Sequence, residues 1–236
     1  MLEIKNISVG YPGKMILGGV SAQVKNGASI ALLGLNGTGK STLLHSLAGI
    51  LPLLSGSVVL NDEGVTALPD RERALRMTFM TTERFRGGNW TAGEMVEMGR
   101  YPYTGLLGRL SEHDAEVVER AMQRCGVLEL RDMRFDQLSD GQRQRVLIAR
   151  ALAQDTPVVL MDEPTSFLDV RGKDEVFALL AELKDRMVVY STHEIERACE
   201  SASLCWVIDD KGAFHSYVPQ GGNAVLEVRS LMGIKS

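Results

Sequence analysis

Residues Gly34 to Thr42 read Gly-Leu-Asn-Gly-Thr-Gly-Lys-Ser-Thr. Gly34, Gly39, Lys40 and Ser41 occupy the fixed positions of the pattern G-x-x-x-x-G-K-[ST]. At average glycine usage, such a match arises by chance in roughly one chain in a hundred of this length. Glycines let a backbone wrap a polyphosphate without Cβ clashes, so successive N–H groups point inward as an anion nest. Lys40 brings an ammonium to the β- and γ-phosphates, and the Ser41 hydroxyl suits Mg²⁺. The flanks agree: Ser29-Ile30-Ala31-Leu32-Leu33 reads as a buried parallel strand, and Ser41 to Ile50 as a helix whose N-terminal dipole faces the phosphates. The stretch therefore predicts a nucleotide site formed by Gly34, Asn36, Gly37, Thr38, Gly39, Lys40, Ser41 and Thr42.

A chain of 236 residues, 44 % hydrophobic and 24 % charged, is large enough to surround such a site with a well-buried core. Its net charge of −4 argues against a general nucleic-acid binder. No stretch approaches the roughly 18 consecutive apolar residues of a membrane span. The start, Met1 to Lys5, has no apolar core of a secretory signal. Cys125, Cys199 and Cys205 are odd in number and widely spaced, as expected of a reduced cytosolic compartment.

Short strand-like runs precede the loop: Leu2 to Val9, a break at Gly10-Tyr11-Pro12-Gly13, then Val20 to Val24. Gly56 to Asn61 and Met77 to Met80 read as strands, with a short charged helix over 68–76 between them. From Glu83 to about Ala153 helical periodicity takes over. Ser111 is a cap signature, and Val117, Val118, Ala121, Met122 and Cys125 form one apolar stripe. Strands return at Val158–Met161, Met187–Ser191 and Leu204–Ile208, with a helix expected over Lys173–Lys184. This order predicts an α/β core over 1–82 and 154–236, with an N-terminal antiparallel β subdomain, and an inserted α-helical subdomain over 83–153. Ligands then lie at the carboxyl ends of the parallel strands.

Three further groups fall at such places. Asp162-Glu163 ends the Val158–Met161 run. Asp162 suits the Mg²⁺ hydration shell, and Glu163 can orient or deprotonate an attacking water. His193 follows the Met187–Ser191 strand, within reach of a γ-phosphate, although a lone His there is more often structural. Leu138-Ser139-Asp140-Gly141-Gln142 opens a helix. Ser139 and Gln142 make a capping box that needs no ligand, yet a glycine and a hydroxyl at a helix start also make an anion site. The residues alone support both readings. Tyr11 reads from its position as an aromatic covering a hairpin.

Taken together, phosphate loop, Leu138–Gln142, Asp162-Glu163 and His193 resemble the nucleotide-binding subunit of ATP-binding-cassette (ABC) transporters along nearly the whole chain. The resemblance implies a P-loop NTPase fold with a RecA-like parallel-sheet core, ATP and Mg²⁺ as cofactors, and ATP hydrolysis. It implies that Lys40, Glu163 and His193 act in catalysis, that Ser41 and Asp162 hold Mg²⁺, and that Tyr11 stacks on adenine. Ser139, Gly141 and Gln142 would bind the ATP of a second copy in a head-to-tail dimer, and Ser166-Phe167-Leu168-Asp169 would cross its interface. Gly99-Arg100-Tyr101-Pro102-Tyr103 is similar to a segment of ATPases serving importers of iron–siderophore complexes, haem and cobalamin. Membrane subunits are expected to dock near residues 82–104, at the cytoplasmic face of the inner (plasma) membrane. The alternatives within the fold are an exporter ATPase and a soluble non-transport ABC ATPase; the chain is short for the latter. A guanine-reading N-K-x-D motif is missing, which weighs against a GTPase.

The chain departs from the family pattern twice. A metal-associated glutamine is expected after the strand at 77–80, where this chain has Thr82 and Glu83. Thr82 offers an oxygen on a shorter arm, so direct Mg²⁺ coordination by it is doubtful. Asp140 replaces a signature glycine, and a carboxylate there opposes phosphate unless it points away.

Overall fold

Apolar side chains alternate to both faces of the strands that flank the phosphate loop, and each face is covered. The computed structural model describes residues 1–81, 89–105 and 108–234. Its strands are β1 (Leu2–Tyr11), β2 (Lys14–Val24), β3 (Ser29–Gly34), β4 (Ser55–Leu60), β5 (Glu63–Gly64), β6 (Met77–Met80), β7 (Val158–Met161), β8 (Met187–Ser191), β9 (Leu204–Ile208) and β10 (Phe214–Tyr217). The helices are α1 (Lys40–Leu47), α2 (Asp70–Ala74), α3 (Ala92–Glu97), α4 (Glu112–Arg124), α5 (Asp140–Ala153), α6 (Val170–Glu182), α7 (Ile195–Ser201) and α8 (Ala224–Leu231).

A six-stranded sheet has the order β10-β9-β3-β8-β7-β6, parallel except for the antiparallel edge strand β10. Within β3, Ile30 and Leu32 pack with Leu43, Leu44 and Leu47 of α1 and with Leu2 and Ile4 of β1. Ala31 and Leu33 pack on the other side among side chains of α5 to α8. Period-two alternation between two buried faces explains why β3, β7 and β8 read as unbroken apolar runs. Each fully buried Leu or Ile contributes about 1.5–3 kcal/mol relative to exposure.

The second sheet, β2-β1-β4-β5, is antiparallel throughout and lies on the α1 side of the core. The expected break at Gly10–Gly13 narrows to Pro12-Gly13, because β1 continues through Tyr11, which pairs with Lys14. Gly13, at φ 78°, takes the left-handed turn conformation that few side chains tolerate.

Helices α3, α4 and α5 follow β6, and each begins with a reciprocal capping box: Thr91 with Glu94, Ser111 with Asp114, Ser139 with Gln142. The stripe expected on α4 is buried from Val117 to Cys125. Gly99–Tyr103 belongs to a 3-10 helix, Met98–Tyr103, that is fastened by Arg100. This guanidinium donates to Asp114 at 2.8 Å and to the Ala153 carbonyl at 2.9 Å, and stacks 3.8 Å from the Tyr103 ring centroid. The pair is almost solvent-free, with 3 % and 8 % of the two side chains exposed. Burial acts to raise the Asp114 pKa. Hydrogen bonds from Ser111 and Arg100 outweigh it and bring the carboxyl down to about 2.

Helix α6 begins at Val170, three residues before the expected Lys173, because the Asp169 side chain accepts from the Gly172 N–H at 2.8 Å and caps it.

Candidate functional site

Strand β3 ends at Gly34, and the chain turns tightly into α1. Thr38 donates to the Leu35 carbonyl through both its N–H (3.3 Å) and its hydroxyl (2.9 Å). Gly39 adopts φ 102°, and a Cβ there would lie 2.6 Å from Ile16 Cγ2. A Cβ on Gly34 would lie 2.7 Å from Thr38 Oγ1. The two invariant glycines of the pattern are thus required by packing in this chain. Lys40 is 6 % exposed and donates to the carbonyls of Gly34 (2.9 Å) and Leu35 (3.1 Å). Burial lowers its pKa, while the charges of Glu163 and Asp162 act in the opposite direction. Ser41 is exposed at the start of α1, and Thr42 is half-buried. Asn36 and Gly37 form the exposed outer part of the turn.

Two strands away, β7 delivers Asp162 and Glu163. Asp162 is buried and its N–H donates to the Met80 carbonyl at 2.9 Å. Ser191, the last residue of β8, links the pair: its hydroxyl donates to Asp162 Oδ1 at 2.6 Å and accepts from the Glu163 N–H at 2.8 Å. Glu163 has φ 45°, an uncommon conformation for a residue with a side chain. Its Oε2 accepts from the Ser166 hydroxyl at 2.8 Å, and its Oε1 lies 3.8 Å from His193 Nδ1. The other His193 nitrogen lies 3.7 Å from Glu194 Oε1. Glu194 is itself held by Lys173 and by Arg197, the latter at 3.0 Å. The Lys173 hydrogen bond leads the effects that lower the Glu194 pKa.

Lys40, Asp162, Glu163 and His193 are thereby brought together at the carboxyl ends of β3, β7 and β8. Asp162 and Ser41 offer hard oxygen donors, a set suited to Mg²⁺, which takes one or two carboxylates alongside phosphate oxygens. Ser191 and Glu194 escaped the sequence reading, which placed Ser166 at a dimer interface and missed its bond to Glu163. The one available signal was polar Ser191-Thr192-His193-Glu194 at the end of an apolar strand. Tyr11, 52 % exposed, sits at the hairpin whose Ile16 lies against Gly39. Thr82 and Glu83 lie outside the described residues.

Ser139, Gly141 and Gln142 are elsewhere. The Ser139 hydroxyl accepts from the Gln142 N–H at 3.2 Å, and Gln142 Oε1 accepts from the Ser139 N–H at 2.9 Å. The capping reading is therefore realised. Among the described residues, no atom outside its chain neighbours and its own helix backbone stands within 4 Å of a Cβ built on Gly141, so none of them makes the close approach that this glycine permits. The cavity before it, about 350 Å³, is lined by Ser139–Gln142, Arg145, the Phe167–Asp169 segment and the start of α6, and by no residue of the phosphate loop. One chain carries both halves of the expected site and does not bring them together.

The pattern of the ABC transporter family matches residues 17–166. The chain is 36 % identical over 218 residues to an achromobactin transport ATP-binding protein of Dickeya dadantii (strain 3937), covering 91 % of this chain and 81 % of the relative. It is 35 % identical over 205 residues to a ferric enterobactin transport ATP-binding protein of Escherichia coli (strain K12), with coverages of 86 % and 76 %. Among solved structures, it is similar to a dimeric ATP-binding cassette in a post-hydrolysis state bound to ADP and Pi, with a TM-score of 0.76 and 26 % identity. That likeness covers 94 % of this chain and all of the other. The chain belongs to the ABC transporter family, as one of its ATP-binding and ATP-hydrolysing P-loop cassettes.

Proposed function

We propose that the chain powers an importer for iron–siderophore complexes, haem or cobalamin, working as two copies that sandwich two ATP molecules head to tail. One observation carries the two-copy part: Gly141 faces open space in a cavity that no phosphate-loop residue lines, while Lys40, Asp162, Glu163 and His193 converge outside that lining. In this reading, N–H groups of Gly37 to Thr42 and the Lys40 ammonium bind the β- and γ-phosphates. Ser41 and Asp162 would hold Mg²⁺, which supplies charge neutralisation between the phosphates. Glu163, braced by Ser166, takes a proton from the water that attacks the γ-phosphorus as the bond to the β–γ bridging oxygen breaks and ADP leaves, and His193 holds the γ-phosphate. Ser139, Gly141 and Gln142 of the other copy close over that phosphate. ATP favours the closed pair because only the closed pair contacts it from both sides, and hydrolysis removes that preference. Tyr11 stacks on adenine.

The transport part rests on the relatives and on the surface. No helix among the described residues is long and apolar enough to cross a membrane, and the relatives are ATP-binding proteins of transport systems, so this reading assigns the passage to membrane subunits. Exposed Trp90 and Tyr101 support docking near residues 82–104, on the helical subdomain over 83–153. The working place is then the cytoplasmic face of the inner (plasma) membrane.

The test is Glu163→Gln. The variant should bind ATP, remain dimeric in gel filtration with ATP, and hydrolyse about 10²–10⁴-fold more slowly. Turnover within twofold of the parent protein would remove Glu163 from the chemistry. Co-purification of tagged chain with a polytopic membrane protein would support the importer; its absence from solubilised native membranes would count against transport.

A further inference from the structure

We propose that Arg143 is a positioning residue which neutralises Asp140, so that the helix start can accept the phosphates of ATP held by a second copy. The inference deepens the two-copy reading above and rests on it. Asp140 is the first residue of α5, one place after the capping Ser139. The positive end of a helix favours a carboxylate and a bound anion alike, so Asp140 and a triphosphate compete for one field.

Arg143 is tethered independently of that carboxylate. Its Nε donates to the Leu138 carbonyl at 2.8 Å, and its N–H donates to the Ser139 carbonyl at 2.9 Å. The guanidinium thus spans the first turn, with Nη1 3.3 Å from Asp140 Oδ1. The two guanidiniums that line the adjoining cavity, Arg171 and Arg145, are paired with Glu175 at 3.3 and 3.7 Å, and Arg143 lies outside that lining. Among the described residues, Arg143 is the cation in ion-pair contact with Asp140.

In a single copy this pair is exposed, Asp140 by 58 % and Arg143 by 39 %, and water screens it. Closure of two copies over ATP removes that water and brings the phosphate charges near, so the same two charges then count far more. Arg143 should therefore affect dimer closure and leave ATP binding by one copy alone.

The experiment is a cycle in the Glu163→Gln protein, with ATP-driven dimerisation followed by analytical ultracentrifugation and single-copy binding followed with a fluorescent ATP analogue at high dilution. Adding Arg143→Gln should raise the ATP concentration for half-dimerisation on the order of ten-fold, with single-copy binding unchanged. Adding Asp140→Gly to that variant should restore closure, as should Arg143→Lys in place of Arg143→Gln, which keeps the charge. Circular dichroism melts identify any variant that is merely unfolded, and Arg143→Lys then carries the test. The proposal is overturned if Arg143→Gln leaves dimerisation unmoved, or if Asp140→Gly fails to restore it. If Glu163→Gln alone does not dimerise with ATP, the two-copy reading falls first and takes this one with it.

Discussion

Ser191 illustrates what a single hydroxyl does at this site. It donates a hydrogen bond to the Asp162 carboxylate and accepts one from the Glu163 backbone N–H, so one atom fixes a carboxylate and the backbone of the residue beside it. Ser191→Ala leaves a buried carboxylate short of a donor and a backbone N–H short of an acceptor. It should cost about 1–3 kcal/mol of stability, read as a lower Tm, and should reduce kcat more than it raises KM for ATP. An unchanged kcat in steady-state assays would restrict Ser191 to a structural part. Such a residue is hard to find from sequence because motifs record groups that meet the ligand, whereas Ser191 meets only those groups. Lys40, Asp162 and Glu163 were legible for the converse reason: spacing from a strand end fixes where they point. At Asp140 the sequence raised a conflict that it could not resolve, since the Leu138 carbonyl that tethers Arg143 depends on the local backbone path.

Among the elements, the 3-10 helix Met98–Tyr103 ties two helices through Arg100, reaching the start of α4 at Asp114 and the end of α5 at Ala153. Removing one partner of a buried, hydrogen-bonded pair strands the other charge. Asp114→Asn should therefore destabilise the chain by roughly 3–5 kcal/mol, measured by urea titration. Acid should act on the same clasp. The folded pKa of Asp114, about 2, lies below the ordinary carboxylate value, so its contribution is complete above that ordinary value. It is lost as pH falls from near 4 toward 2. The parent should thus lose stability in that window more steeply than Asp114→Asn; parallel curves would remove Asp114 from the acid response. The apolar stripe of α4 was legible because thirteen residues give several turns of periodicity. Helix α3, of six residues, and β10, of four, gave no period to read. Helix α6 was placed late because its apolar stripe starts at Val176, while its cap, Asp169, lies a full turn and more before.

Over the whole molecule, the parallel sheet was legible from strand–helix alternation, and both its faces are filled as that alternation requires. Separation of the two phosphate-facing segments came only from the resemblance, since residues 34–42 and 138–142 taken alone carry no distance between them. The helix start at Ser139 and the phosphate loop are both present, and no phosphate-loop residue lines the cavity at that helix start. Under the proposed two-copy reading, hydrolysis becomes a property of chain concentration as well as of the chain. At saturating ATP and without membrane subunits, turnover per chain should fall on dilution, approaching a second-order dependence on protein at the low end. A strictly linear dependence through the same range, followed by phosphate release, would mean that a single copy hydrolyses ATP unaided.

The placement of α3, α4 and α5 between β6 and β7 has an evolutionary side. Those two strands are paired in parallel along their length, from Met77 opposite Val158 to Met80 opposite Met161. Everything between them leaves and rejoins the sheet along one seam. A lineage can therefore lengthen, shorten or recolour that excursion while β3, β7 and β8 keep their register. Changing that excursion to suit another partner keeps the strand register so long as α5 retains the side chains that pack with Ala31 and Leu33.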